Sequence, residues 1–175
     1  SLLKTLLLLK KPKKILEVGT AVAYSSLVMA EVLEGKTKIS TIENYEKRVL
    51  EAKKNIADSN YSNTIHLIEE DASKVLKELV EKKEKYDFIF MDAAKGQYIN
   101  WLEPVIKLLN KEGVLCSDNV LQGGDIVQSR YLIERRDRSI HSRLREYLYE
   151  LTHREELSTT ILSLGDGVAL TVLKK

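Results

Sequence analysis

The fold is indicated first by residues 86–95, which read YDFIFMDAAK. The first six of these residues are largely apolar and aromatic, and a short run of this kind is typical of a strand buried on both faces. The run delivers Asp92 at its carboxyl end, and the small residues after it are expected to open a helix. A second apolar run, residues 113–117, then delivers Asp118 and Asn119 at its own end. A strand, a helix and another strand in this order predict a parallel α/β unit.

The rest of the chain continues this alternation of short β-rich runs and helical patterns. We predict a mostly parallel sheet with helices on both faces, in a single domain over residues 1–175. Gly165-Asp166-Gly167 indicates a hairpin, which is the one antiparallel feature. The predicted strands are residues 15–18, 38–42, 64–69, 86–91, 113–117, 159–164 and 168–173, and the predicted helices include residues 2–9, 24–33, 46–57, 72–83 and 139–153.

Composition excludes several classes of protein. Apolar residues make up 43% of the 175, which is enough for a core, and the net charge of +2 is too small to indicate nucleic-acid binding by bulk charge. The single cysteine, Cys116, excludes an internal disulfide framework and favours a reducing, cytoplasmic location. Residues 2–9 are too short to span a membrane. The chain begins without Met, so we expect a further N-terminal segment to precede it.

Asp92, Asp118 and Asn119 predict a metal site. Neighbouring parallel strands would place their side chains together, and carboxylate and amide oxygens suit a hard cation such as Mg2+. Lys95, three residues after Asp92, would lie close to whatever the metal binds. The alternative for each residue by itself is structural, with Asp92 as a helix N-cap and Asp118-Asn119 as a turn pair.

The turn after the first predicted strand indicates a nucleoside ligand. Residues 19–23, Gly-Thr-Ala-Val-Ala, have one glycine at the start where a dinucleotide fold has three, so a ligand without phosphates is favoured. Glu17 just before the turn suits a cationic group. Glu43, which lies 24 residues after Gly19, is placed to bind ribose hydroxyls. Asp71-Ala72 ends the third strand where an adenine edge would lie, and the alternative for each acid is a solvated cap.

A ribose acid, an adenine-side acid and no phosphate site together suggest S-adenosylmethionine. The chain resembles the metal-dependent class I O-methyltransferases, which include catechol and caffeoyl-CoA O-methyltransferases. The residues that carry this resemblance are Glu17-Val18-Gly19-Thr20-Ala21, Tyr24-Ser25, Met91-Asp92-Ala93-Ala94-Lys95, Ser117-Asp118-Asn119-Val120 and Gly165-Asp166-Gly167. One departure is Ala23, where the family often has glycine.

The resemblance implies a Rossmann-like, seven-stranded sheet whose last hairpin reverses one strand. It implies metal ligands at Asp92, Asp118 and Asn119. It also implies cofactor contacts at Glu17, Gly19, Ser25, Glu43, Asp71, Ala72 and Asp92.

A metal bound to two adjacent substrate oxygens would lower the pKa of a hydroxyl and fix its orientation for methyl transfer. Lys95 would then accept the proton, as the catalytic residue. The alternative is that Lys95 merely pairs with an acid at the rim of the site.

An arginine cluster follows the second metal-ligand strand. Residues 130–145 contain six arginines against two acids, and clustered arginine is typical of phosphate contacts. Together with residues 92–98, this segment resembles the bacterial branch that methylates 5-hydroxyuridine at the tRNA wobble position. We therefore predict a tRNA anticodon loop as substrate, with tRNA contacts at Arg130, Arg135, Arg136 and Arg138.

Two alternatives remain open. The first is a small-molecule catechol-type or caffeoyl-CoA-type O-methyltransferase, in which the arginines serve a dimer contact or an acidic substrate tail. The second is a non-catalytic protein that binds S-adenosylmethionine or RNA. The resemblance also implies a homodimer.

Overall fold

The computed structural model describes residues 1–121, 126, 134–135 and 137–174. In this part of the chain the helices are α1 Leu2–Lys10, α2 Tyr24–Val32, α3 Glu46–Ala57, α4 Ala72–Glu81, α5 Tyr98–Leu108 and α6 Arg138–His153. The strands are β1 Lys14–Val18, β2 Lys38–Ile42, β3 Ile65–Ile68, β4 Tyr86–Met91, β5 Leu109–Asp118, β6 Leu157–Leu162 and β7 Val168–Leu173.

The strands form one seven-stranded sheet in the order β3-β2-β1-β4-β5-β7-β6. The first five strands in this order pair in parallel, whereas β7 pairs antiparallel with both β5 and β6. The last hairpin therefore reverses one strand, and the predicted sheet is confirmed. Because the strand order changes direction between β1 and β4, the carboxyl ends of these strands are the expected place for a ligand.

Helices cover both faces of the sheet, as predicted. Alternate residues of β4 show the two-sided burial: Ile89 and Met91 belong to the core beneath α4, α5 and α6, and Phe88 and Phe90 belong to the core beneath α1, α2 and α3. Leu7 is the buried residue of α1, and it packs into the core beneath α1, α2 and α3. None of the described helices is long and apolar enough to cross a membrane.

The largest differences from the predicted elements lie on either side of α5. The residues after Asp92 do not start an α-helix; a short 3-10 turn over Lys95–Gln97 comes first, and α5 begins at Tyr98. Strand β5 begins at Leu109 rather than at residue 113. A search for apolar runs does not detect the first half of β5, because that half is polar. The pairing of β5 with β4 also shifts register after Tyr86. A positive φ of 60° at Glu112 lies in this irregular part.

Candidate active site

The structure brings the three predicted metal ligands together at the carboxyl ends of β4 and β5. The Asn119 side-chain amide lies 3.1 Å from Asp92 Oδ1, and the Asn119 backbone N–H donates to Asp118 Oδ1 at 2.8 Å. Asn119 has a positive φ of 57°, a conformation that asparagine tolerates better than most residues. Parallel pairing of Met91 with Ser117 sets the two ligand-bearing strand ends side by side.

The electrostatics of this cluster suit a cation. Partial burial raises the pKa of Asp118, and the nearby Asp92 carboxylate adds to that rise. Lys95 Nζ contacts Asp92 Oδ1 at 2.8 Å and partly offsets the negative charge on Asp118. Lys95 therefore lies next to the predicted metal ligands. It also forms an ion pair with an acid, which is the alternative role considered for it in the sequence analysis. Its catalytic role stays a prediction.

A cavity of about 530 Å³ opens beside Asp92, at the ends of β1, β2 and β4. The predicted cofactor residues on its wall are Gly19, Glu43, Asp71, Ala72 and Asp92. Because the volume lies within the usual range for small-molecule pockets, the cavity can hold a nucleoside. We call it the nucleoside cavity.

Glu43 and Asp71 have structural roles as well as positions on this wall. Glu43 is 8% exposed, and its carboxylate accepts backbone N–H bonds from Ala21, Asn44 and Tyr45 at 3.0–3.1 Å. Asp71 is the N-cap of α4, with its Oδ1 accepting from the N–H of Ser73 at 2.9 Å. The cap predicted as the alternative for Asp71 is therefore present, on a residue that also lines the cavity.

Glu17 lies beneath the turn that follows β1, away from the wall of the nucleoside cavity. Its side chain is fully buried, and its carboxylate accepts hydrogen bonds from the hydroxyls of Ser25, Ser26 and Thr41, the last at 2.6 Å. Burial raises its pKa, although the three hydroxyl donors oppose the rise. In this structure Glu17 supports the turn from below, and its contact with the cofactor stays a prediction.

The turn itself brings β1 and β4 into close approach. Gly19 has a φ of 103°, and a Cβ placed there would lie 2.2 Å from the Asp92 carbonyl oxygen. Glycine is therefore required at this position both by conformation and by space. Ala23, at the position where glycine was expected, is buried with a φ of 68°, which is the left-handed conformation that glycine favours.

A second cavity of about 680 Å³ adjoins the first. Gly19, Ala21 and Asp92 line both cavities, and Ser25 and Asp118 line the second. The predicted cofactor residue Ser25 therefore faces this second space, which we call the adjoining cavity. Of the predicted metal ligands, Asp92 lines both cavities and Asp118 lines the second, so they lie where the two cavities meet.

Sequence reasoning missed several residues on the wall of the nucleoside cavity. Trp101 is 6% exposed and lines the cavity, and its Nε1 donates to Ser73 Oγ at 2.9 Å. Tyr45 is 53% exposed, and its ring lies 5.8 Å from the Arg48 guanidinium carbon. Trp101 and Tyr45 reach this wall from different elements, so no regular spacing in the sequence marks them.

The arginine cluster is divided in the structure. Arg143 donates to the Gly96 carbonyl at 3.3 Å and Arg145 to the Ile126 carbonyl at 3.1 Å. Arg135 is exposed, and Arg138, the first residue of α6, already interacts within the protein. Arg130 and Arg136 lie outside the described residues.

The residues present fit both groups that the resemblance implies. Among the described residues, no group of three His, Cys, Asp or Glu could hold a metal, so the donor set is two carboxylates and one amide. Asp92 and Asn119 already approach to about the separation of two ligands on one octahedral cation. The side-chain amide can present its oxygen after a rotation that interchanges its two ends. For the nucleoside, the space is the nucleoside cavity, whose wall includes the carboxylates of Glu43 and Asp71.

The class I methyltransferase fold is defined by a mostly parallel sheet in which β7, second from the edge, is reversed, and by acids at the strand ends. A solved structure of this class matches the fold of this chain. The O-methyltransferase from Bacillus cereus, solved in complex with SAH, superposes with a TM-score of 0.88 at 26% identity, covering 99% of this chain and 79% of that chain.

The chain belongs to the O-methyltransferase family, whose sequence model matches residues 1–175. The flavonoid 3',5'-methyltransferase of Vitis vinifera is 33% identical over 172 residues, which cover 94% of this chain and 72% of the relative. The caffeoyl-CoA O-methyltransferase of Citrus natsudaidai is 31% identical over 172 residues, which cover 91% and 70%. The family predicted from the sequence is confirmed.

Proposed function

We propose that this protein transfers a methyl group from S-adenosylmethionine to one hydroxyl of a substrate with two adjacent oxygens, with the help of a divalent cation such as Mg2+. The observation that carries the proposal is the cluster of Asp92, Asp118 and Asn119 at the junction of two cavities. The Bacillus cereus relative in complex with SAH supports the choice of cofactor.

The nucleoside cavity would hold the adenosyl group. Glu43 is placed for the ribose hydroxyls through Oε2, which accepts one backbone N–H and keeps a second lone pair, whereas Oε1 already accepts two. Asp71 and Trp101 lie on the same wall for the adenine. Asp92 lines both cavities and would lie near the sulfonium end of the cofactor, with the substrate in the adjoining cavity.

When bound, the cation supplies Lewis acidity toward the two substrate oxygens, and the cofactor supplies the methyl group. Asp92, Asp118 and Asn119 would hold that cation and so orient the substrate. During transfer the carbon–sulfur bond breaks and a carbon–oxygen bond forms. Lys95 Nζ, 2.8 Å from Asp92 Oδ1, would take up the hydroxyl proton when its amine is neutral.

The substrate we place first is a small catechol-type molecule, in the manner of the caffeoyl-CoA and flavonoid methyltransferases among the relatives. This order differs from the sequence-based prediction, which placed tRNA first. The exposed Arg143, anchored to the carbonyl of Gly96 beside Lys95, sets a positive charge near the site for an acidic substrate tail.

The same positive charge supports a second candidate substrate, which is 5-hydroxyuridine in a tRNA anticodon loop. Its hydroxyl lies beside a carbonyl, which is a chelating pair comparable to a catechol, and an anticodon-loop base can be splayed into a pocket. Dimerisation and a cytoplasmic location stay predictions.

The test is a comparison of methyl acceptors with Mg2+ and S-adenosylmethionine present. Caffeoyl-CoA, a simple catechol and tRNA lacking 5-methoxyuridine are incubated separately, and the products are identified by mass spectrometry. We expect methylated catechol-type product that disappears with a chelator. Methoxyuridine in the tRNA without catechol turnover would reverse the order of substrates, and no methyl transfer to any acceptor would contradict the proposal.

A further inference from the structure

The ends of β4 and β5 are tied together by one buried phenol. Tyr98, the first residue of α5, is fully buried, and its hydroxyl lies 3.0 Å from the Met91 carbonyl oxygen and 3.3 Å from that of Asp118. The same hydroxyl accepts the Ala93 N–H at 3.2 Å. Met91 and Ala93 flank Asp92, so this oxygen contacts the backbone on both sides of one predicted ligand and the backbone of another.

The phenol also holds Lys95. Lys95 Nζ donates to the Tyr98 hydroxyl at 3.1 Å and lies 5.2 Å from the centre of its ring. The second anchor of Lys95 is Asp92 Oδ1 at 2.8 Å. Tyr98 therefore holds Lys95 in place independently of Asp92.

The hydrogen-bonding capacity of this hydroxyl is fully used. A phenol oxygen accepts two hydrogen bonds and donates one. Here it accepts from Ala93 and Lys95, and its proton is directed to the carbonyls of Met91 and Asp118.

We propose that Tyr98 is a positioning residue, whose hydroxyl sets the separation of Asp92 and Asp118 for a divalent cation and aims Lys95 at the substrate. The inference rests on the proposed function. It adds that one buried hydroxyl acts through the metal ligands and the lysine at once.

Tyr147 offers a matched control. Its side chain is also fully buried, and its ring packs edge-on against Tyr98 with a centroid distance of 5.4 Å. Its hydroxyl bonds the Ser117 side chain at 2.6 Å rather than backbone beside a ligand. Tyr147→Phe therefore removes an equally buried hydroxyl from the same core and leaves the strand ends tied.

The experiment measures binding of Mg2+ by calorimetry in the presence of S-adenosylhomocysteine, for the wild type, Tyr98→Phe, Tyr147→Phe and Asp118→Ala. We expect Tyr98→Phe to weaken cation binding about 10- to 100-fold, the range seen when a supporting hydrogen bond of a metal ligand is lost. S-adenosylhomocysteine affinity should stay unchanged, kcat should fall, and Tyr147→Phe should keep wild-type cation affinity.

The outcomes separate this inference from the proposed function. A wild type that binds no cation, or an Asp118→Ala variant that binds it normally, would contradict the proposed function. Normal cation binding by Tyr98→Phe beside a defective Asp118→Ala would overturn the role of Tyr98 alone. Hydrogen exchange on the wild type gives a check that needs no variant: the Ala93 amide should be protected, and rapid exchange of that amide would also overturn the inference.

Discussion

At the scale of single residues, Glu17 shows how far a motif can predict a role. Its place just before Gly19 indicated a group facing the ligand, but the side chain is fully buried beneath the turn. A sequence position gives the strand and the register, whereas the direction of a side chain on that strand depends on which face each neighbouring element covers. Glu43 and Asp71 lie on the cavity wall because they follow their strands, where the chain leaves the sheet.

The burial of Glu17 predicts a specific dependence of stability on pH. Its folded-state pKa is raised above 4.5, so the stabilisation from its proton is complete below pH 4.5 and is lost as the pH rises through the folded-state pKa. Glu17→Gln cannot ionise, so its unfolding free energy relative to that of the wild type should rise with pH. Urea denaturation from about pH 4.5 to about pH 8 measures this difference.

Glu51→Gln, at an exposed position of α3, is the control and should follow the wild type. If the difference between Glu17→Gln and the wild type stayed constant with pH, the raised pKa of Glu17 would be wrong.

At the scale of elements, the sequence predicts best where a strand is short, apolar and ended by turn residues. Strands β2, β4 and β7 have the predicted bounds. Strand β5 was predicted too short because its first half is polar. Contacts between residues distant in sequence hold this half in the sheet, such as the hydrogen bond from Asn110 Nδ2 to Asp87 Oδ1 at 2.8 Å. Such contacts leave no local pattern. The predicted ligand trio came together because β4 and the apolar second half of β5, at whose ends the three residues lie, were predicted correctly.

The turn between β1 and α2 gives a prediction at this scale. Gly19→Ala should destabilise the protein by more than the roughly 1–2 kcal/mol of a left-handed backbone, because its Cβ would overlap the Asp92 carbonyl. It should also weaken binding of S-adenosylhomocysteine by displacing the cavity wall. Denaturant unfolding and calorimetry measure the two effects.

Gly165→Ala provides the matched control, since Gly165 has a φ of 57° and no atom of the described residues lies within 4 Å of the place that a Cβ would take there. It should cost only the backbone strain and leave ligand binding intact. Equal losses in the two variants would show that the approach of Gly19 to Asp92 is unimportant.

At the scale of the whole molecule, one sheet with a reversed strand brings two cavities to a common edge. Predicted metal ligands from two strands, a buried tyrosine from the helix between them and a turn from the start of the sheet all meet at that edge. This convergence explains why the family could be identified from short motifs, and why Trp101 and the role of Tyr98 could not. Both of these depend on the packing of α5 against the sheet.

The most direct test of the central claim is an anomalous difference map from crystals grown with Mn2+, as a substitute for Mg2+, and S-adenosylhomocysteine. We predict one strong peak within about 2–2.5 Å of oxygens from Asp92, Asp118 and Asn119, with the adenosyl group in the nucleoside cavity. A peak bound by other residues, or an adenosyl group outside that cavity, would contradict the account.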